Sequence, residues 1–134
     1  MVKKTNQETA TAVFVDENDL SASSEENQSF SELSSKLAEI RKHKSVIGYI
    51  IRNTTSATID LKEPEKIVDY AIFSSEVLDA TRKISDLYNL GDVESILAEG
   101  KETNALCMTI EGNKISIFME KDADNNDILK RILP

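Results

Sequence analysis

An α+β domain containing β-hairpins is the fold class that this sequence predicts, on three observations. Residues 46–51 are almost wholly apolar and rich in β-branched side chains, which is typical of a strand covered on both faces. Residues 64–88 carry apolar side chains at helical spacing, in a helix long enough to cover a sheet. Residues 104–120 alternate in polarity on both sides of Gly112-Asn113, as two strands joined by a two-residue turn do.

Local signals along the chain predict the other elements. The first helix is expected to begin at Ser29, because Ser29 and Glu32 form a capping box that satisfies backbone N–H groups. Residues 46–52 and the strictly alternating residues 57–61 form a hairpin around Asn53-Thr54-Thr55. The order continues with a helix from Pro64 to about Tyr88, strands over residues 92–99, 104–110 and 114–120, and a last helix from about Asp122 to Leu133.

Residues 1–28 differ in composition from the rest of the chain. They hold two basic and six acidic residues, together with many Ser, Thr and Asn. A segment of this kind buries too little apolar area to offset its ordering entropy, so we expect it to be a disordered acidic tail. The apolar residues 12–15 interrupt it. They are either a chance cluster or a short motif that adds to a sheet edge, in the same chain or in a partner.

Composition excludes several classes of function. The net charge of −8, without a run rich in Lys and Arg, argues against binding to nucleic acid or to anionic membranes. The apolar runs are too short to span a bilayer, and the first residues do not resemble a signal peptide. Because Cys107 is the single cysteine, no internal disulfide can form, and a cytoplasmic protein is expected.

Motifs for catalysis, metal binding and cofactor binding are missing from the sequence. His43 is the only histidine, lies among cations after the first helix, and has no second ligand nearby, so we interpret it as a solvated side chain. Cys107 lies on a predicted strand and is interpreted as a small buried hydrophobe. We therefore expect a protein that is not an enzyme and uses no cofactor.

The long helix presents two surfaces. We expect the broad apolar face to cover the sheet; it contains Tyr70, Phe73, Val77, Ala80, Ile84, Leu87 and Tyr88. A second stripe beside it is neither strongly polar nor bulky, and it contains Ile67, Ala71, Ser74, Ser75, Leu78 and Arg82. Small residues at this spacing let another helix approach closely, although the flank of a helix touching its own domain gives the same pattern.

The element order of helix, two strands, long helix, three strands and helix resembles the roadblock/dynein light-chain family. The resemblance is carried by the apolar run 46–51 and by residues 106–117 of the last hairpin, and it covers about residues 29–133. In many members, Asn or an acidic residue followed by glycine forms the first turn. This chain departs from that pattern, since residues 53–56 contain no glycine.

The resemblance implies a five-stranded antiparallel sheet over residues 29–134, with the long helix on one face and the terminal helices on the other. It also implies a dimer, formed with an identical copy or a paralogue, in which long helices and third strands pair. The interface that this implies contains Ile67, Ala71, Ser74, Ser75, Leu78, Arg82, Val93, Ser95 and Leu97.

Family members bind Ras-like small GTPases as scaffolds or activators, or serve as light chains of larger machines, so the resemblance implies an adaptor or regulator of this kind. A profilin-like domain that senses a small ligand between sheet and helix is the alternative. Four Phe, three Tyr and no Trp are expected to fill the core without leaving a cavity.

Overall fold

A six-stranded antiparallel sheet runs through the molecule, and helices cover both of its faces. The computed structural model describes residues 10–15, 24–91 and 95–133. The strands are in the order β1-β3-β2-β6-β5-β4. In chain order the elements are β1 (Ala10–Val15), α1 (Ser24–Ile40), β2 (Val46–Arg52), β3 (Ser56–Leu61), a 3₁₀ turn (Pro64–Lys66), α2 (Ile67–Tyr88), β4 (Ser95–Glu99), β5 (Thr103–Ile110), β6 (Asn113–Glu120) and α3 (Asn125–Ile132).

The predicted layers are confirmed. One hydrophobic cluster joins Leu37 of α1 and Ile132 of α3 to one face of the sheet, where Ile117 of β6 is fully buried. A second cluster joins Leu78 of α2 to the other face, where Phe118 lies. Successive residues of a strand point to opposite faces, so the neighbours Ile117 and Phe118 serve the two clusters separately.

Strand β2 is covered on both faces, as its apolar sequence predicts. Tyr49 and Ile51 belong to the cluster under α1 and α3, whereas Ile50 belongs to the cluster under α2. Gly48 lies opposite Leu61 of β3, at a place where the register with β6 shifts between Val46 and Gly48. The β3 backbone approaches Gly48 so closely that a side chain there would overlap it.

The N-terminal segment has more regular structure than its composition predicts. Residues 10–15 form β1, which pairs with β3 along its whole length, and α1 begins at Ser24 instead of Ser29. The prediction of a disordered tail is therefore wrong for residues 10–15 and 24–28, and its other residues lie outside the described part of the chain. We interpreted the apolar motif either as a chance cluster or as a strand that adds to a sheet edge, and the structure shows the added strand.

Both hairpin turns differ from the simplest expectation. The turn between β5 and β6 consists of Glu111 and Gly112, both with positive φ, so the predicted Gly112-Asn113 turn is displaced by one residue. Asn113 instead belongs to the strand, because its buried amide donates to Ile110 O at 3.2 Å. At the first turn, the Asn53 carboxamide oxygen accepts from the backbone N–H groups of Thr55 and Ser56 at 2.9 Å, so no glycine is needed there.

Candidate functional site

Strand β4 forms one edge of the described sheet and offers its outer backbone groups for pairing. It hydrogen-bonds to β5 on one side, with Leu97 opposite Leu106, and no described strand pairs with its other side. Leu97 is 40 % exposed. An unpaired edge with an exposed apolar side chain is a surface on which another strand can add.

Helix α2 lies over the sheet with a face that coincides only in part with the predicted one. Ser74 is 2 % exposed and Leu78 is 9 % exposed, and both are covered by the sheet of their own chain. Ile67 and Ala71 also pack against this cluster. The dimer interface that the resemblance implies includes Ser74 and Leu78, but the fold of the single chain already buries both, as the alternative of a helix flank touching its own domain predicts.

A polar contact, which the sequence pattern did not reveal, fixes α2 on the sheet. The hydroxyls of Ser74 and Ser116 lie 2.5 Å apart, and the Ser116 hydroxyl also donates to the Cys107 sulfur at 3.3 Å. Beside these two hydrogen bonds, the rings of Tyr70 and Phe118 stack with centroids 4.2 Å apart. Ser74 is polar, but its hydrogen bond to Ser116 of β6 satisfies its hydroxyl, so the residue can lie in the buried face of the helix.

The exposed apolar side chains of α2 lie on two separate flanks. Val68 and Ile72 share a flank with Asp79, since residues seven apart in a helix differ by only about 20°. Asp79 lines a groove together with Ser95 and Ile96, so this flank faces β4. Ile84, Leu87 and Tyr88 are exposed on other parts of the helix surface. The prediction that these three and Ala80 cover the sheet is wrong, whereas Tyr70, Phe73 and Val77 pack against it as predicted.

An open groove of about 650 Å³ separates the C-terminal half of α2 from the sheet. The expectation of a core without a cavity is therefore wrong at this place. Burial raises the pKa of the Cys107 thiol in the groove wall, and the Ser116 hydrogen bond partly opposes that shift. The lining residues are Leu78, Asp79, Thr81, Arg82, Ser85, Asp86, Asn89, Gly91, Ser95, Ile96, Cys107, Met108, Thr109 and Lys114.

The remaining residues of the predicted interface are dispersed around this region. Arg82 is exposed at the groove, and Ser75 is half-buried on the flank that faces β4. Ser95 and Leu97 lie on the edge strand β4, as predicted. Val93 lies outside the described residues, so the structure says nothing of it.

Tyr49 and Lys62, which are not among the residues that line the groove, also have shifted pKa values. Burial, with a second contribution from the Asp60 carboxylate, raises the pKa of Tyr49, and burial lowers the pKa of Lys62. Both shifts stabilise the neutral form. Within residues 10–15, 24–91 and 95–133, no three His, Cys, Asp or Glu side chains are grouped to hold a metal ion. In the same ranges, no helix combines the length and the apolar character needed to cross a bilayer.

Comparison with known proteins identifies the fold. No protein-family model matches the chain, and no curated protein matches it. A solved structure, the crystal structure of a Roadblock/LC7 domain from Streptomyces avermitilis, matches 78 % of this chain and 86 % of its own, with a TM-score of 0.60. The two sequences share 14 % identity, a likeness that establishes the fold. The chain has the fold of a Roadblock/LC7 domain.

Proposed function

We propose that this protein is a non-catalytic, cytoplasmic adaptor that forms a homodimer and binds a Ras-like small GTPase. The observation that carries the proposal is the unpaired edge of β4 beside the exposed flank of α2 that holds Val68 and Ile72. A two-fold axis normal to the sheet brings two such edges together and sets the two α2 helices side by side. Both the backbone groups of β4 and the apolar side chains of α2 are then removed from water.

Assignment of a GTPase as the partner rests on the fold. The surface of α2 offers a place for it, because Ile84 lies about 120° around the helix from Ile72 and stays outside the helix pair. Ile84, Leu87 and Tyr88 form an exposed apolar end of α2 in each copy. We propose that these two ends of the dimer together form the surface that binds the GTPase. The chain then positions its partner and supplies no reacting group of its own.

Two substitutions of the same residue type test the dimer. Ile72 is 53 % exposed and Ile84 is 51 % exposed on the same helix, so Ile72→Glu and Ile84→Glu cost the single chain comparable free energy. Ile72→Glu places two carboxylates in the apolar contact and should reduce the mass in light scattering from two chains to one. Ile84→Glu should leave the mass at two chains. Equal masses for both variants would refute this interface.

Binding of a GTPase is tested with the same pair of variants. A purified Ras-like GTPase from the same organism, loaded with GDP or with a non-hydrolysable GTP analogue, is titrated against each variant. We expect the unsubstituted chain to bind one nucleotide state more tightly, and both variants to bind at least tenfold more weakly. Only Ile84→Glu should lose binding while it remains a dimer. Phosphate release in the same mixture separates an activator from a scaffold.

The groove supports a second candidate, a ligand-sensing domain. Its volume of about 650 Å³ lies within the usual range for small-molecule sites. Arg82 and Lys114 in its wall are the groups that would hold the anionic part of a ligand, beside the carboxylates of Asp79 and Asp86. A thermal-shift screen of small carboxylates and phosphates tests this function. A ligand that raises the unfolding temperature of the unsubstituted chain, but not that of Lys114→Ala, would favour the sensor over the adaptor.

A further inference from the structure

The outer edge of β3 is the site to which the N-terminal strand β1 binds. The six residues of β1 pair antiparallel with the six of β3, from Ala10 opposite Leu61 to Val15 opposite Ser56. Strand β3 has β2 on its other side, so it belongs to the sheet without β1. Strand β1, in contrast, has β3 as its one neighbour in the described sheet. The pairing is therefore that of an acceptor edge and an added strand.

The two sequences match in size along this register. The small residues Ala10 and Ala12 lie opposite the large residues Leu61 and Ile59, and the large Phe14 lies opposite the small Ala57. A shift of the register by two residues in either direction breaks this alternation of large and small. Pairs across two strands contribute to the choice of register, so β3 selects this segment and not merely any extended chain.

We propose that the β3 edge is a strand-binding site with Ala10–Val15 as its ligand, and that a second copy of the chain can supply this ligand in place of the first. When two copies exchange β1, each strand makes the same contacts with β3 that it makes within a single chain. Eight residues, 16–23, connect β1 to α1, and they span at most about 29 Å.

This span determines which copies can exchange strands. In a dimer joined through β4, the two β3 strands are nine strand spacings apart, or about 43 Å. The connecting residues start at α1, which packs over β2 and β6, so within such a dimer they would have to cross at least about seven strand spacings, or about 34 Å. They are too short for that distance, so the exchange takes place between dimers and links them into larger assemblies. This last step rests on the proposed β4 dimer, whereas the strand-binding site itself does not.

A peptide experiment with the full chain tests the site. The double variant Val13→Pro, Phe14→Pro removes backbone N–H groups from two successive positions, and one of two successive groups points toward β3. A labelled peptide of residues 8–17 should bind this variant at least tenfold more tightly than it binds the unsubstituted chain, where the resident strand competes at a high effective concentration. Peptide binding should also restore protection from hydrogen exchange at the amides of residues 56–61.

Two controls make the result specific. A peptide with Ala12 and Phe14 interchanged has the same composition but reverses the size match, and it should bind at least fivefold more weakly. The variant Thr5→Pro, Asn6→Pro carries its prolines outside the strand and should behave as the unsubstituted chain. The site is refuted if the peptide fails to bind a folded Val13→Pro, Phe14→Pro variant. It is equally refuted if that variant unfolds, because β1 is then an integral strand.

Exchange between copies is tested in the Ile72→Glu background, where α2 pairing is removed. Concentrating this variant should raise its mass in light scattering from one chain to two, and adding Val13→Pro and Phe14→Pro should abolish the increase. A mass that stays at one chain refutes the exchange. If Ile72→Glu itself leaves a dimer, the proposed β4 interface is wrong, and the effect of the two prolines on further association still decides whether strands exchange.

Discussion

Gly48→Ala is the substitution whose cost follows most directly from the geometry. A methyl group at residue 48 would lie 2.7 Å from Leu61 Cα and 2.5 Å from Leu61 Cδ2, and it would also overlap the carbonyl oxygen of Asp60. Real Cβ atoms keep at least 3.0 Å from such neighbours. Two of the three obstacles belong to the β3 backbone, so no change of side-chain rotamer relieves them.

The cost is that of overpacking a strand pair. Alanine would by itself stabilise an extended residue by about 0.5–1 kcal/mol relative to glycine, which opposes the clash. Overpacking typically costs about 1–3 kcal/mol, and the backbone contacts place this site at the upper end, so we expect a net loss of about 2–2.5 kcal/mol. For a domain of this size the melting temperature should fall by roughly 6–10 °C.

Urea unfolding followed by circular dichroism measures this loss. The midpoint should decrease while the dependence on urea stays constant, because the fold is retained. Gly91→Ala is the control: its methyl group meets no atom within 4 Å, and its positive φ of 76° should cost about 1 kcal/mol. A loss below 1 kcal/mol for Gly48→Ala would show that β3 moves away freely, and the close packing of β2 on β3 would be refuted.

Three further predictions concern the contact between α2 and the sheet. Leu78→Glu should lower the free energy of unfolding by at least the roughly 2–5 kcal/mol of a buried Leu→Ala, and the loss should not change with protein concentration, since Leu78 contacts its own sheet. Ser74→Ala and Ser116→Ala should be coupled by about 1 kcal/mol in a double-mutant cycle of urea unfolding; additive losses would contradict their hydrogen bond. Burial raises the pKa of the Cys107 thiol, so the folded chain keeps a proton that the unfolded chain releases above the ordinary value of 9.0. The free energy of unfolding should therefore decrease as the pH rises from about 9, by at most about 1.4 kcal/mol per unit, and Cys107→Ala should remove this decrease.

The sheet could be predicted from the sequence because its strands are encoded locally. The apolar run of β2 and the alternation in β5 and β6 repeat at the period of a strand, and the structure places Tyr49 and Ile50 on opposite faces accordingly. The displaced turn at Glu111 has a non-local cause in addition to the local bond from Asn113 to Ile110 O. Asn113 bonds the Asn53 side chain at 3.1 Å across 60 residues, and that partner is invisible to local turn preferences.

The orientation of α2 could not be predicted for a related reason. Apolar residues occur on several sides of this helix, so periodicity alone cannot select the face that meets the sheet. Ser74 counts as polar in such a pattern, yet its bond to Ser116 makes it the most buried residue of the helix. Strand β1 was obscured in a similar way, because the acidic residues around it dominate the composition, whereas its pairing depends on the backbone of β3, more than 40 residues away.

The position of β6 in the middle of the sheet has a consequence for synthesis on the ribosome. Strands β2 and β6 are neighbours, yet residue 52 ends one and residue 120 ends the other. At about 5–20 residues per second, roughly 3–14 s separate the completion of the two strands. During this interval β1, β2 and β3 can already pair, while the side of β2 that will receive β6 stays open. The nascent chain is therefore most vulnerable to wrong association at its most apolar strand, and a chaperone that shields Val46–Arg52 would act in this interval.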